Sequence, residues 1–384
     1  MADGTKIEWA DATVNAINGC SVTSPGCTHC YAMKLAGTRM RDHPTRQGLT
    51  IESKAGPVWN GEVRLHKPAL LQPLSWTKPR RIFWNAHGDT FHPNVPWEWT
   101  AKVMAAAFLS PQHIHMILTK RADRMNAWFD TLATEGYAED FSAIIEDLAE
   151  SAGIECDYPE WTLPLDNVWL GVSVEDQTRA DERIPDLLDT PAAVRFLSCE
   201  PLLGPVDLTD LTLRVRPEEE PSGLAGLDAL TGVHWDAHDT IVGIYGNPDP
   251  RIDWVIAGGE SGPGARPMHP DWARSLRDQC ADADVPFHFK QWGNWAPVCE
   301  MDEQLLEDIY HPAPKHSAEA SRRCKVDQCV LHADGTRFNG KQMYEREAFW
   351  QGKGAMTMFE VGKKRAGRLL DGVEHNGMPE VQHG

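Results

Sequence analysis

The chain has 384 residues, 41% of them hydrophobic, which is enough to bury a large core and more than one ordinary domain needs. A formal charge of −19 turns the global field against phosphate, so any contact with nucleic acid has to use a local basic patch. No apolar run of about 18 residues occurs, and Met1 to Trp9 is polar and acidic. Neither a membrane partner nor a secretory leader is therefore expected, and the cytoplasm is the expected compartment.

In chain order, a short strand is expected near Thr13 to Ile17, followed by a loop that holds three of the nine cysteines. Further strands are expected at Ile82 to Ala86, Ile114 to Thr119, Val168 to Val174, Val194 to Ser198, Trp254 to Gly258 and Pro286 to Phe289. Each is a short β-branched or aromatic run that ends in small or polar residues and precedes a segment of helical spacing, such as Trp97 to Leu109 or Trp272 to Cys280. This alternation builds an α/β fold with buried parallel strands, either open and doubly wound or closed wholly or partly into a barrel. Periodicity does not choose between them. Two segments depart from the pattern: Thr134 to Leu165 reads as an acidic insert, and Arg214 to Pro250, with Glu218, Glu219 and Glu220, as an exposed loop. The barrel-like part is expected to span residues 1–293, and residues 294–384 to form an irregular C-terminal extension containing the basic run Lys363 to Arg368.

In parallel α/β architectures the functional groups collect just past the carboxyl ends of the strands. Here those positions hold Cys20, Cys27 and Cys30; Asn85, His87 and Asp89; Lys120 and Arg121; Ser173, Glu175 and Asp176; Glu200; Glu260 and Ser261; and Lys290 and Gln291. Arbitrary turn residues would not be ionisable or thiol-bearing at every one of these strand ends.

The segment Gly19-Cys20-Ser21-Val22-Thr23-Ser24-Pro25-Gly26-Cys27-Thr28-His29-Cys30-Tyr31 is the most informative stretch. Thiolates are soft ligands suited to iron–sulfur clusters or zinc, and two cysteines separated by two residues reach one centre from a single turn. Three close cysteines leave one coordination position open. Gly19 and Gly26 each precede a cysteine, where the missing side chain lets the backbone bend and aim N–H groups at a negatively charged cluster. The zinc alternative would use His29 as the fourth ligand, although its place between Cys27 and Cys30 is awkward for sharing their metal. Cys324, Cys329 and His332 read either as a second metal knuckle or as two buried thiols beside a histidine.

With three cysteines on the loop after the first strand and an aromatic residue, Tyr31, directly after the third, the chain resembles the radical SAM superfamily. That superfamily usually separates its cysteines by three residues and then two; here the spacing is six and then two. The segments Trp59-Asn60-Gly61, Phe83-Trp84-Asn85, Leu118-Thr119-Lys120-Arg121, Gly171-Val172-Ser173-Val174-Glu175, Cys199-Glu200-Pro201-Leu202-Leu203-Gly204-Pro205, Gly258-Gly259-Glu260-Ser261-Gly262 and Lys290-Gln291-Trp292-Gly293 resemble a phage and prophage three-cysteine-motif family related to spore photoproduct lyase. The resemblance runs from Ile7 to about Pro379.

What this resemblance implies is a partial (β/α)6 radical SAM-type barrel, open on one side, with a [4Fe-4S] cluster on Cys20, Cys27 and Cys30. It also implies that S-adenosyl-L-methionine (SAM) chelates the fourth iron and is cleaved to a 5′-deoxyadenosyl radical, with a one-electron donor such as flavodoxin or ferredoxin. Cofactor contacts are then expected at Tyr31, at Asn85 and Asp89 for the amino-acid end of SAM, at Ser173 and Glu200 for the ribose, and at Gly258, Gly259 and Glu260. Lys120, Arg121, Lys290 and Gln291 are expected to meet an anionic substrate, with ion pairs to Glu175, Glu200 or Glu260 as the alternative for the three cations. By analogy the substrate is DNA or a modified pyrimidine base. A protein or small-metabolite substrate, or a non-catalytic zinc-stabilised nucleic-acid-binding protein, are the other readings.

Overall fold

Buried β-branched and aromatic runs form the strands that their composition calls for. The computed structural model describes residues 5, 7–156, 160–213, 224–236, 241–244, 250–312 and 323–380. It is a mixed α/β protein whose principal sheet has seven strands: β1 (Ala12–Val14), β2 (Arg81–Trp84), β3 (Ile114–Thr119), β4 (Val168–Ser173), β5 (Val194–Cys199), β6 (Trp254–Gly258) and β7 (Phe287–Gln291). Spatial order follows chain order. A doubly wound sheet reverses its order at a switch point, so this one-directional winding is compatible with a partial barrel. All seven expected strand runs are in the sheet, one more than the partial (β/α)6 barrel that the resemblance implies; the three-residue β1 pairs in parallel with β2, with Ala12 opposite Ile82 and Val14 opposite Trp84.

The chain divides into two compact units. One comprises Met1–Ser173, Asp181–Leu197 and Ile244–Asp253; the other comprises Val174–Ala180, Ser198–Gly243 and Trp254–Gly384. In the first unit, β2 and β3 pair in parallel, as do β3 and β4, so that Trp84, Ile117 and Leu170 lie side by side. Its longer helices are α1 (Tyr31–Gly37), α2 (Trp97–Phe108), α3 (Ala122–Leu132) and α4 (Glu135–Ala152). On α3, Met125, Trp128, Phe129 and Leu132 fall on one face and are buried, the spacing of an amphipathic helix. The stretch read as an acidic insert is mostly α4, which buries Phe141, Ile145, Leu148 and Ala149 and stops at Gly153 in the left-handed region.

In the second unit, β6 and β7 are parallel, with Val255 opposite Phe287 and Ala257 opposite Phe289. Helix α5 (Gln177–Asp189) begins in this unit, and α6 (Pro270–Asp282) belongs to it entirely. The segment expected to be an exposed loop instead carries strands Leu224–Leu227, Val233–Asp236 and Ile241–Ile244, which join Leu211–Thr212 in a four-stranded sheet whose first three strands are antiparallel. Glu218, Glu219 and Glu220 lie outside the described residues. The C-terminal segment is also more regular than expected. There Trp295–Pro297, Met356–Glu360, Gln328–Leu331 and Arg337–Asn339 form a second antiparallel sheet in that order. No helix among the described residues is long and apolar enough to cross a membrane.

Two buried contacts fix the first unit's sheet. A Cβ on Gly171 would lie 2.5 Å from the ring of Phe196, so glycine is what lets that ring sit against β4. His115, fully enclosed, accepts a hydrogen bond at Nδ1 from Trp84 Nε1 (2.9 Å) and stacks on the same indole. Burial pushes this imidazole down to about 3, so the folded chain holds it neutral where an unfolded chain would take up a proton. Because the unfolded state binds more protons between about pH 6.5 and 3, this contribution is complete above that window and is lost as pH falls through it. Urea titrations should therefore show stability falling with pH between 6.5 and 4, with His115 supplying at most about 1.4 kcal/mol per pH unit. The His115→Asn protein should be less stable at pH 7 but have a shallower slope. An unchanged slope would contradict this role.

Candidate functional site

The cysteine loop belongs to the first unit and is pinned at its root by backbone contacts. Gly19 donates its N–H to the carbonyl of His87 (3.1 Å), which places the loop beside the turn that follows β2. Its φ is +96°, and a Cβ there would lie 2.1 Å from the Glu62 carbonyl oxygen, so a side chain is excluded on both counts. Gly61 N–H donates to the carbonyl of Cys20 (3.2 Å), which gives Trp59-Asn60-Gly61 a mechanical role. Ser24 to Cys30 then turns twice, with Cys27 N–H on Ser24 O and Cys30 N–H on Cys27 O, before Tyr31 opens α1.

Cys20 and Cys30 pack against a core cluster of Ala32, Met33, Ala36, Leu49 and Trp59. Cys27 is buried, with its Sγ 3.8 Å from Ser24 Oγ. Burial and the neighbouring Asp89 push the Cys20 thiol up to about 12 against the opposing pull of Arg121, and burial likewise raises Cys30. His29 is exposed.

At the centre of this region is an ion pair between Asp89 Oδ2 and Arg121 Nη1 at 2.6 Å, with side chains only 7% and 8% exposed. The carboxylate and both terminal nitrogens of the guanidinium are hydrogen-bonded. Asp89 also accepts from Thr119 Oγ1 (2.7 Å) and from the N–H groups of Phe91 (3.0 Å) and Lys120 (3.4 Å). Arg121 Nη1 also reaches Cys20 Sγ (3.7 Å), and Nη2 donates to the carbonyl (3.1 Å) and hydroxyl (2.9 Å) of Ser21. The guanidinium thus ties the cysteine loop to the carboxyl ends of β2 and β3, and it offers positive charge to sulfur. Asn85 sits in the left-handed region at φ 55° and is used internally, accepting from Ile17 N–H and donating to Thr90 Oγ1. Tyr31 is exposed, donates its hydroxyl hydrogen to Ala86 O and meets His87 edge-on. Ser173 is buried, and its carbonyl accepts from Arg183 (2.7 Å).

The remaining expected residues belong to the second unit. Lys290 Nζ lies 3.1 Å from Glu200 Oε1, the ion-pair alternative for that cation. A Cβ on Gly258 would come within 2.7 Å of the same Glu200 oxygen, and one on Gly259 within 2.0 Å of the Trp292 carbonyl. Both glycines admit neighbouring protein groups closely. Glu260 is gripped by Arg266 through Nη2 (2.6 Å), Nε (2.8 Å) and the backbone N–H (2.8 Å). The buried Gln291 has no hydrogen-bond partner for its Oε1 among the described residues.

Sequence reasoning missed Ser21, Thr119 and Arg46. The Arg46 guanidinium bonds His87 Nδ1, and burial holds that imidazole down at about 4. Thr119 had a visible signal, a hydroxyl beside Lys120 and Arg121 at a strand end; Ser21 and Arg46 had none. In kind, three thiols suit an iron–sulfur cluster. In position, no three Cys, His, Asp or Glu side chains among the described residues are gathered as a metal site, and this includes Cys324, Cys329 and His332.

A parallel α/β sheet bearing a loop with three buried or half-buried thiols after its first strand is the class of protein that this geometry defines. The chain belongs to the family described as "Protein of unknown function (DUF5131)", whose model matches residues 4–379. No curated protein and no solved structure matches it.

Removing one member of a buried, hydrogen-bonded ion pair leaves an uncompensated charge and costs about 3–5 kcal/mol. Asp89→Asn should therefore lower unfolding free energy by about that amount in urea titration, and Asp89→Asn combined with Arg121→Met should recover part of it. A loss below about 1 kcal/mol would mean that the pair behaves like an exposed one.

Proposed function

We propose that this protein is a radical SAM enzyme whose Cys20, Cys27 and Cys30 hold a [4Fe-4S] cluster, and that it acts on DNA or a modified pyrimidine base. The observation that carries the reading is the cysteine loop itself: three buried or half-buried thiols at the carboxyl end of β1, with an arginine N–H on Cys20. When bound, the cluster and SAM supply one-electron cleavage of the cofactor and hydrogen abstraction from the substrate.

The chain's own groups position and protect. Arg121 holds the Cys20–Ser21 backbone and places positive charge beside a ligand sulfur, which favours the thiolate over the thiol. Asp89 fixes that arginine, and with its oxygens taken up by four internal donors it serves as a positioning residue. Met33, Ala36, Leu49 and Trp59 exclude water from the inner side of the loop. Glu200 and Lys290 supply an acceptor and a donor to a polar ligand in the second unit, and Gln291 supplies the unmet acceptor.

Support for a DNA substrate is local charge. Lys363, Lys364 and Arg365 are exposed on a short helical turn, where they can meet phosphate despite the net charge. In the Lys78 to Arg81 stretch, Arg80 lies over the Trp76 ring and Arg81 is paired to Asp11.

Anaerobically purified protein should be brown, with broad absorption near roughly 400 nm, and should cleave SAM when reduced. Cys27→Ala should lose most of its iron and all cleavage, whereas Cys156→Ala should keep both. Full iron in the Cys27→Ala protein, or a colourless wild type that carries zinc, would refute the proposal.

A further inference from the structure

The first unit contains a cavity of about 240 Å³ that no cysteine lines. Its walls come from the segment after β2 and from one face of α3, where Arg124, Ala127, Trp128 and Thr131 recur at helical spacing. Three aromatic rings shape it. Trp97 and Trp128 stack with centroids 5.7 Å apart and planes 23° from parallel, and Phe91 meets Trp128 edge-on at 6.4 Å. The stack is held by Trp128 Nε1–H on the Trp97 carbonyl (3.3 Å), so the aromatic wall exists before any ligand arrives.

Its polar groups are asymmetric in charge. His92 contributes none: Nδ1 accepts from Asn94 N–H (3.1 Å), so Nε2 carries the proton and donates to Ser21 Oγ (2.9 Å). Arg124 is exposed and is steered toward the cavity by Nε–H on the Phe91 carbonyl (3.2 Å). Its terminal nitrogens make no hydrogen bond or ion pair among the described residues. On a chain of net charge −19, an oriented guanidinium without a carboxylate partner beside an aromatic wall is a built receptor for an anion.

We infer that this cavity binds a planar aromatic ring carrying an anionic group, the ring against Trp97, Trp128 and Phe91 and the anion on Arg124. The volume lies below the roughly 300–1,000 Å³ of pockets for drug-sized ligands, which limits the occupant to one ring system. Such a ligand is either the base and phosphate of one nucleotide or an aromatic carboxylic acid. Base-on-aromatic stacking and an arginine–phosphate contact are the pair of interactions that a nucleotide would use.

The inference stands apart from the cluster, so it is tested on the full chain without SAM or reductant. Calorimetry with thymidine 5′-monophosphate, thymidine, indole-3-acetate and inorganic phosphate would compare wild type with Arg124→Gln and Trp97→Leu, each checked by thermal melting. Saturable binding of the nucleotide or the aromatic acid is expected, whichever is tighter naming the source, and phosphate alone should bind far more weakly. Arg124→Gln should weaken the anionic ligand about tenfold and leave thymidine unchanged. Trp97→Leu should weaken charged and neutral rings alike. Should Trp97→Leu not fold, the exposed Arg124 position still decides the question. Absence of saturation by either anionic ring up to about 10 mM, or equal affinities in the Arg124→Gln protein, would overturn the inference.

Discussion

The buried pair of Asp89 and Arg121 is the constraint on which the cysteine loop depends. A carboxylate and a guanidinium removed from water are stable only if their remaining donors and acceptors find partners, and here neighbours serve the carboxylate and both terminal nitrogens of the guanidinium. Asp89 takes hydrogen bonds from Phe91, Thr119, Lys120 and Arg121, while the terminal nitrogens of Arg121 also donate to Ser21 and Cys20. The groups that satisfy the pair come from the ends of β2 and β3 and from the loop itself. Desolvation therefore turns into geometry: the loop has one position in which no buried charge is left unmet.

Around that pair, glycine and burial set what the loop can do. Gly19 lets the backbone pass within contact of Glu62, and Gly61 then holds the Cys20 carbonyl. Burial raises the thiols of Cys20 and Cys30, so in the chain alone they rest as neutral S–H groups. A metal cation reverses that preference by stabilising the thiolates, and the adjacent guanidinium acts in the same direction. The same low dielectric that protonates the bare site would strengthen its hold on a cluster.

Much of the fold was legible because parallel strands buried on both faces have a simple composition. Ile114–Thr119 and Trp254–Gly258 coincide with their expected limits, and every expected strand appears in the principal sheet. Acidity obscured α4, although Phe141, Ile145, Leu148 and Ala149 recur at helical spacing beneath it. Antiparallel strands such as Val233–Asp236 were read as loop because short, half-buried strands carry little apolar signal. At the site, the cysteines were visible from spacing, but the partnership of Asp89 with Arg121 was not. It joins residues from two strand ends, and only the register of β2 against β3 brings them within reach. Asp89 looked like a free carboxylate for the same reason, since sequence shows a charge but not the arginine that neutralises it.

The central claim is that three thiolates hold a cluster and leave one iron open to SAM. Electron paramagnetic resonance of the reduced, iron-loaded protein with and without SAM tests it most directly. The account predicts a cluster signal that changes on addition of SAM, because the iron without a thiolate gains the amino and carboxylate groups of the cofactor. A signal indifferent to SAM would contradict it.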